Sequence, residues 1–131
     1  MQAQYTVQAQ AVRLDQFVTA LGIEKFHLGG NSMGGAIAGT YAARHGHKVS
    51  SLWLIAPGGV ASAQPSELAK HLEAGHKNIL IVETPADYDR LLDFVFVQKP
   101  PIPGAIKRYF VKEAIHHRPL NQKIFEQIRS T

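Results

Sequence analysis

Apolar positions recur at helical spacing in the first stretch of the chain. Ala11, Leu14, Phe17, Val18 and Leu21 line one face of a segment running from about Thr6 to Leu21. That spacing predicts an amphipathic helix, and Gly22, just past the last periodic residue, is placed to stop it. The pattern then changes. Lys25-Phe26-His27-Leu28-Gly29-Gly30 has the length and apolar content of a strand and runs straight into Asn31-Ser32-Met33-Gly34-Gly35. A second helix is predicted from about Met33 to His45, with an inner face of small residues (Ala36, Gly39, Ala42, Ala43) that lets it lie close to a sheet; Gly46 ends it. From Val49 to Ala56 the chain is almost continuously apolar, as a buried parallel strand should be. Helix, strand, helix, strand over residues 6–56 points to an α/β protein.

After Pro57-Gly58-Gly59 the character shifts. Ile79 to Val82 is apolar but fits a strand no better than a helix, and short amphipathic helices are predicted instead. Thr84-Pro85-Ala86-Asp87 offers an N-cap, a proline at the first helical position and an acid in the first turn. The helix it opens carries Leu91, Leu92 and Val95. Lys99-Pro100-Pro101-Ile102-Pro103-Gly104 reads as a rigid loop leading into a helix with Ile106 and Phe110 on one face, and a last helix sets Leu120, Ile124 and Ile128 four residues apart. Two regions are expected: an α/β part over residues 1–59 and a mainly helical part over residues 60–131.

Bulk properties narrow the field. In 131 residues, 45% are apolar and 18% charged, with no run near the ~20 apolar residues that a membrane-spanning helix needs. The net charge of +4 is spread evenly: residues 1–60 hold four Lys/Arg against two Asp/Glu, and residues 61–131 hold ten against eight. No basic stripe of the kind that tracks phosphates results, so nucleic acid is not an expected partner. Lys107, Arg108 and Lys112 cluster on one predicted helix, which reads as a solvated face. The absence of cysteine excludes disulfides, thiolate catalysis and Cys-ligated metals. The opening Met-Gln-Ala-Gln-Tyr is not patterned as a signal peptide.

The chemistry lies in Gly30-Asn31-Ser32-Met33-Gly34, a Gly-x-Ser-x-Gly sequence between a predicted strand and a predicted helix. A serine on so tight a turn needs neighbours without side chains, and the turn projects its hydroxyl away from the sheet. Ser32 is the candidate nucleophile. The backbone N–H of Met33, at the helix N-terminus, is the candidate donor to an oxyanion. A phosphate loop is excluded because Gly35-Ala36 or Ala36-Ile37 stands where Lys-Ser or Lys-Thr is required. The dinucleotide pattern Gly-x-Gly-x-x-Gly fits 29–35 in no register. No cofactor is implied.

With these residues in view, the chain resembles the middle of an α/β-hydrolase of the single-chain lipase/esterase kind, similar to monoacylglycerol-lipase-like enzymes with a helical cap. The resemblance rests on Ala20-Leu21-Gly22-Ile23-Glu24-Lys25-Phe26, on Gly30-Asn31-Ser32-Met33-Gly34-Gly35 and on Leu54-Ile55-Ala56-Pro57-Gly58-Gly59. It implies a partial α/β-hydrolase fold with its nucleophile elbow in residues 1–59, and a cap or lid in residues 60–131. It also implies ester hydrolysis through an acyl-enzyme on Ser32, with a medium or long acyl chain held under the cap. A carbon–carbon bond hydrolase of the same fold has a similar elbow and a similar Pro57-Gly58-Gly59 turn. A non-catalytic fragment or interaction module is the third alternative.

The departures matter as much. The family's second oxyanion donor follows an earlier strand with a His-Gly motif, and its triad acid and histidine follow later strands; none of these is found in residues 1–131. Seven histidines are present, at positions 27, 45, 47, 71, 76, 116 and 117. His27 precedes Ser32 within its strand, and His45 and His47 are ~18–20 Å away along the helix at ~1.5 Å per residue. His71, His76, His116 and His117 read as cap or surface residues. The pairs His45-x-His47 and His116-His117 lack a third ligand, so no metal is expected. The chain therefore reads as an internal fragment, expected to self-associate through open sheet edges.

Overall fold

The computed structural model describes residues 4–60 and 64–129. They divide into two compact units, one of residues 1–61 with 126–131, the other of residues 62–125.

The first unit follows the predicted order. Helix α1 spans Val7–Ala20, strand β1 Phe26–Asn31, helix α2 Met33–Arg44 and strand β2 Val49–Ile55, with a short 3-10 turn at Gly46–Lys48. Thr6 caps α1 by accepting from the Ala9 N–H at 3.2 Å. Gly22 takes a left-handed φ of 67° just beyond the helix, and the Ile23 N–H closes back on the Val18 carbonyl at 2.9 Å. β1 and β2 are parallel, in register from His27 opposite Ser51 to Asn31 opposite Ile55. A right-handed crossover helix is the usual way to join such a pair, and α2 makes the connection here.

The core of this unit is Ala11 and Val18 of α1 against the fully buried Tyr41 of α2, with Leu14, Phe26, Leu28 and Val49 packed around them. Here the structure corrects one expectation. The buried line of α2 is Gly35, Ala38 and Tyr41, while Ala43 is exposed. Tyr41 decides this. Its ring is the largest apolar surface on the helix, and its hydroxyl can be buried because it donates to Asp15 Oδ1 at 3.1 Å. A second difference concerns β2, expected to be buried. Leu52, Leu54 and Ile55 are exposed and Trp53 is 72% exposed. Among the described residues only β1 pairs with it, so its continuous apolar pattern finds cover on one side alone.

The second unit is helical, as predicted after Gly59. Helix α3 spans Glu67–Glu73, α4 Pro85–Val95 and α5 Gly104–His116; α6, Arg118–Arg129, is shared with the first unit in its last turn. No periodicity marks the seven-residue α3, and it is a helix the pattern did not predict; Ser66 caps it through the Ala69 N–H at 3.2 Å. The start of α4 is as read: Thr84 caps the Asp87 N–H, and the Asp87 carboxylate accepts in return from the Thr84 N–H at 2.8 Å. Ile79 to Val82 is neither strand nor helix, yet Ile81 and Val82 are buried, together with Leu92 and Val111. On α5, Ile106 and Phe110 stay exposed, and Val111 faces inward instead. No helix among the described residues is long and apolar enough to cross a membrane.

Candidate active site

Ser32 stands between β1 and α2 with φ 52° and ψ −119°, a left-handed conformation that a side-chain-bearing residue holds only when its surroundings enforce it. Four hydrogen bonds do so. The Ser32 N–H donates to the Ile55 carbonyl at 3.0 Å, extending the β1–β2 ladder one residue past the strand. The Ser32 carbonyl accepts from Gly35 at 3.0 Å and Ala36 at 3.2 Å, which starts the helix, and from Gly58 at 2.9 Å. The turn is thus held by the neighbouring strand β2, the helix after it and the loop beyond β2.

The glycines show which positions the turn needs. A Cβ on Gly30 would lie 2.1 Å from the Gly34 carbonyl oxygen, inside any possible contact. A Cβ on Gly35 would lie 2.8 Å from Pro57 Cα and Cβ. A Cβ on Gly34 would meet nothing within 4 Å. The steric demand expected of both outer positions of Gly-x-Ser-x-Gly therefore falls on Gly30 and Gly35 and leaves Gly34 free. The motif's second glycine supplies the backbone that Gly30 must not touch.

Ser32 and Met33 are both exposed, and Ser32 spends no side-chain bond on capping α2. The Met33 N–H is the first of the helix, one of the orphan donors every helix N-terminus carries. The arrangement presents a hydroxyl and a backbone donor side by side on a strained turn, with the positive end of α2 beneath them.

The loop after β2 is the part of the site that sequence reasoning underread. Pro57-Gly58-Gly59 was legible as a turn, but not as the clasp that receives the serine carbonyl. Ala56 takes a φ of 41°, and Gly59 one of 72°, so the chain reverses tightly enough for Gly58 to reach the elbow. An alanine at positive φ leaves no trace in hydrophobic patterning.

Among the described residues of the first unit, the histidines have other partners or lie away from Ser32. His27 Nδ1 is 2.7 Å from Ser51 Oγ on the neighbouring strand. His45 ends α2, at the opposite end from Ser32, where its ring stacks on Tyr41 at 4.7 Å and its Nδ1 is 3.7 Å from Asp15. Asp15 is the hub at that end, accepting from Lys48 Nζ at 2.7 Å and from Tyr41. The Lys48 ammonium holds the Asp15 carboxyl below the usual carboxylate range, helped by Tyr41 and His45 against the desolvation of the site. Burial, with Asp15 beside it, pushes the Tyr41 phenol up to about 12. Among the described residues no three His, Cys, Asp or Glu side chains are grouped to hold a metal ion.

Comparison with known proteins bears on the fold. Residues 2–100 match the family model of the alpha/beta hydrolase fold. The chain is 40% identical to Lipase 3 of Moraxella sp. (strain TA144), over 98% of its own length and 41% of that lipase. It is 33% identical to monoacylglycerol lipase ABHD6 of Homo sapiens, over 95% of its length and 40% of that protein. The crystal structure of a membrane phospholipase A, a bacterial virulence factor, matches it with a TM-score of 0.93 at 50% identity, covering 98% of this chain and 41% of that one. The chain thus spans about two fifths of the length of the relatives it matches.

Proposed function

The chain belongs to the alpha/beta hydrolase fold family, and from that premise we propose that it supplies the nucleophile of a serine hydrolase acting on carboxylic esters. The observation that carries the reading is the exposed Ser32 at φ 52° and ψ −119° on the strand-to-helix turn. A strained, side-chain-bearing residue is retained where its geometry serves chemistry. The lipase and monoacylglycerol lipase names of the relatives support an ester, and a lipid ester in particular.

In this reading Ser32 Oγ attacks the ester carbonyl as its proton passes to a general base. The tetrahedral oxyanion is stabilised by the Met33 N–H and the positive end of α2. The C–O bond to the alcohol breaks, the alcohol leaves with the proton, and an acyl-enzyme remains on Ser32. Water then enters by the same route, releasing the carboxylic acid and restoring the hydroxyl. The base, its orienting acid and a second oxyanion donor come from outside residues 1–131. His27, His45 and His47 are engaged or placed away from the elbow, which supports that assignment.

The test is turnover of a chromogenic short-chain ester by the longer protein carrying this segment, beside its Ser32→Ala variant. Loss of a nucleophile in such a site costs on the order of 10⁴–10⁶ in kcat. Turnover that survives Ser32→Ala at a comparable rate overturns the assignment. Ser32-dependent turnover by the 131-residue chain alone overturns the external base instead, since a histidine of this chain would then complete the site.

A further inference from the structure

A cavity of about 240 Å³ opens within the second unit, between the end of α3 and the first turns of α4. Its polar lining is His71, His76, Lys77, Asn78, Asp87 and Arg90. The chain folds back on α3 there. Gly75 takes a left-handed φ of 78°, and the His76 N–H reaches the His71 carbonyl at 3.3 Å. The rings of the two histidines stack with their centroids 4.8 Å apart.

Donors and acceptors around this cavity are not matched. The side-chain oxygens of the lining are taken. The Asp87 carboxylate accepts from the Thr84 hydroxyl and N–H, the Glu83 N–H, Lys77 and Arg90, which fills the lone pairs a carboxylate offers. Asn78 Oδ1 accepts from the Leu80 N–H at 3.0 Å. The carbonyls of His71, Lys77 and Asn78 accept from the His76 N–H, from His71 Nε2 and from the Ile81 N–H. What is left over donates. Arg90 spends only Nη2, on Asp87, and the Asn78 amide nitrogen has no partner among the described residues. The Lys77 ammonium is shared between Glu83 at 2.6 Å and Asp87 at 3.3 Å and keeps a further N–H. The His76 ring stacks on His71 and makes no hydrogen bond among the described residues. Charge has the same sign: Lys77, Arg90 and Arg118 stand against Asp87 and Glu83, leaving one positive charge in excess.

We propose that this cavity binds a phosphate monoester, with the phosphate between Lys77, Arg90 and His76 and a short substituent over Ile79 and Ile81, the apolar part of the lining. A ligand here must bring acceptors and negative charge. Guanidinium and ammonium groups both suit phosphate, the first through its planar fork and the second as a point charge. A volume near 240 Å³, at ~30 Å³ for each water-sized group, has room for about eight such groups. A phosphate takes about five of them, which leaves space for roughly three carbons. Such an ester occurs free in solution or as the headgroup of a lipid. The site lies wholly in the second unit, so its occupation is independent of the chemistry at Ser32.

The experiment is an NMR titration of the 131-residue chain with glycerol 3-phosphate at fixed ionic strength. Saturable shifts of the His76 ring, the Arg90 guanidinium and the Asn78 amide are expected, and glycerol should bind at least tenfold more weakly. Lys77→Gln and Arg90→Gln should each weaken binding about fivefold, the scale of an ion pair between half-exposed groups. His76→Ala removes a ring that bonds nothing in the fold and should weaken binding about twofold, which keeps the test alive if either cation variant misfolds. Lys70→Gln takes the same charge from α3 outside the cavity and should change nothing. Shifts spread evenly over the lysines and arginines, or equal losses in Lys70→Gln and Arg90→Gln, overturn the site. So does the lack of saturable binding by a folded chain. Cosedimentation with phosphatidylcholine vesicles, with and without phosphatidic acid, separates the two sources. Retention only with phosphatidic acid, lost in Arg90→Gln, assigns the site to a lipid headgroup. Glycerol 3-phosphate binding without such retention assigns it to a soluble ester.

Discussion

The two units of this chain are held by different physics. In the α/β unit, the structure depends on side chains that are small or absent: Gly30 under the Gly34 carbonyl, Gly35 against Pro57, Ala11 and Ala38 buried. In the helical unit, order depends on charge. Asp87 is 5% exposed and accepts from Thr84 Oγ1 and N–H at 2.8 Å each, from the Glu83 N–H at 3.1 Å, from Lys77 Nζ at 3.3 Å and from Arg90. Glu83 extends the network to Lys77 at 2.6 Å and Arg118 at 3.2 Å. The first arrangement tolerates no added atom at two positions and is indifferent to pH around them. The second accepts changes of size more readily and depends on protonation. Under the proposed function, a segment that holds a nucleophile to a fraction of an ångström gains from the first kind.

The largest expected effect breaks the first unit at a single atom. Gly30→Ala places a methyl 2.1 Å from a backbone oxygen that no side-chain rotation can move. We expect a loss of about 4 kcal/mol or more, the range reserved for severe overpacking and backbone strain. Gly34→Ala, in the same motif, meets nothing within 4 Å and should be neutral or stabilise by up to about 1 kcal/mol. Denaturant unfolding of the pair measures the difference. Equal losses at both glycines would mean that the steric argument has the wrong centre.

The second effect concerns Asp87. Its carboxyl is held far below the usual carboxylate range, first by the Thr84 hydroxyl and then by Arg90, the Glu83 N–H and Lys77, all against the cost of burial. Asp87→Ala leaves several donors unmatched and should cost about 3 kcal/mol. The pH dependence has a definite sign. A carboxyl depressed in the folded state contributes stability that is full above its unfolded value of about 3.9 and is lost as pH falls below it. Amide exchange of Leu91 and Leu92 should therefore accelerate as pH is lowered through 4 beyond the intrinsic change, and that excess should vanish in Asp87→Ala. The α1 amides at Ala11 and Val18 should show a smaller excess, from the less depressed Asp15, and it should persist in Asp87→Ala; an equal excess lost in that variant would mean the two units do not differ as described.

How far the sequence foretold this depends on the range of the forces involved. The helices and strands of the first unit came from apolar periodicity and from Gly22 and Gly46, all local signals. The Thr84-Pro85-Ala86-Asp87 cap was equally local, because capping geometry is fixed by residues three apart. Ser32 was legible because its turn concentrates glycines around it. What escaped was decided across the fold: that α2 buries Tyr41 instead of Ala43, that Gly58 clasps the Ser32 carbonyl, that Val111 and not Phe110 turns inward on α5. Each depends on a partner many residues away, for which one-dimensional spacing carries no sign.

The smallest prediction sharpens the comparison from within the first unit, whose Asp15 hub sits at the far end of α2 from Ser32. Tyr41 is fully buried, and its phenol, first by burial and then by its bond to Asp15, is pushed up to about 12. Its ordinary value is near 10. A phenol raised on folding contributes stability present below the unfolded value and lost as pH climbs toward the folded one, so the first unit should weaken between pH 10 and 12. Tyrosinate absorbance should show Tyr41 ionising at the alkaline end of the titration, and in Asp15→Asn it should ionise earlier. It should remain above the ordinary value even then, because burial is the larger cause and the ring does not move. Tyr41→Phe keeps the ring, removes one hydrogen bond and should cost about 1 kcal/mol. An Asp15→Asn titration indistinguishable from the parent would show that the hub does not reach the phenol.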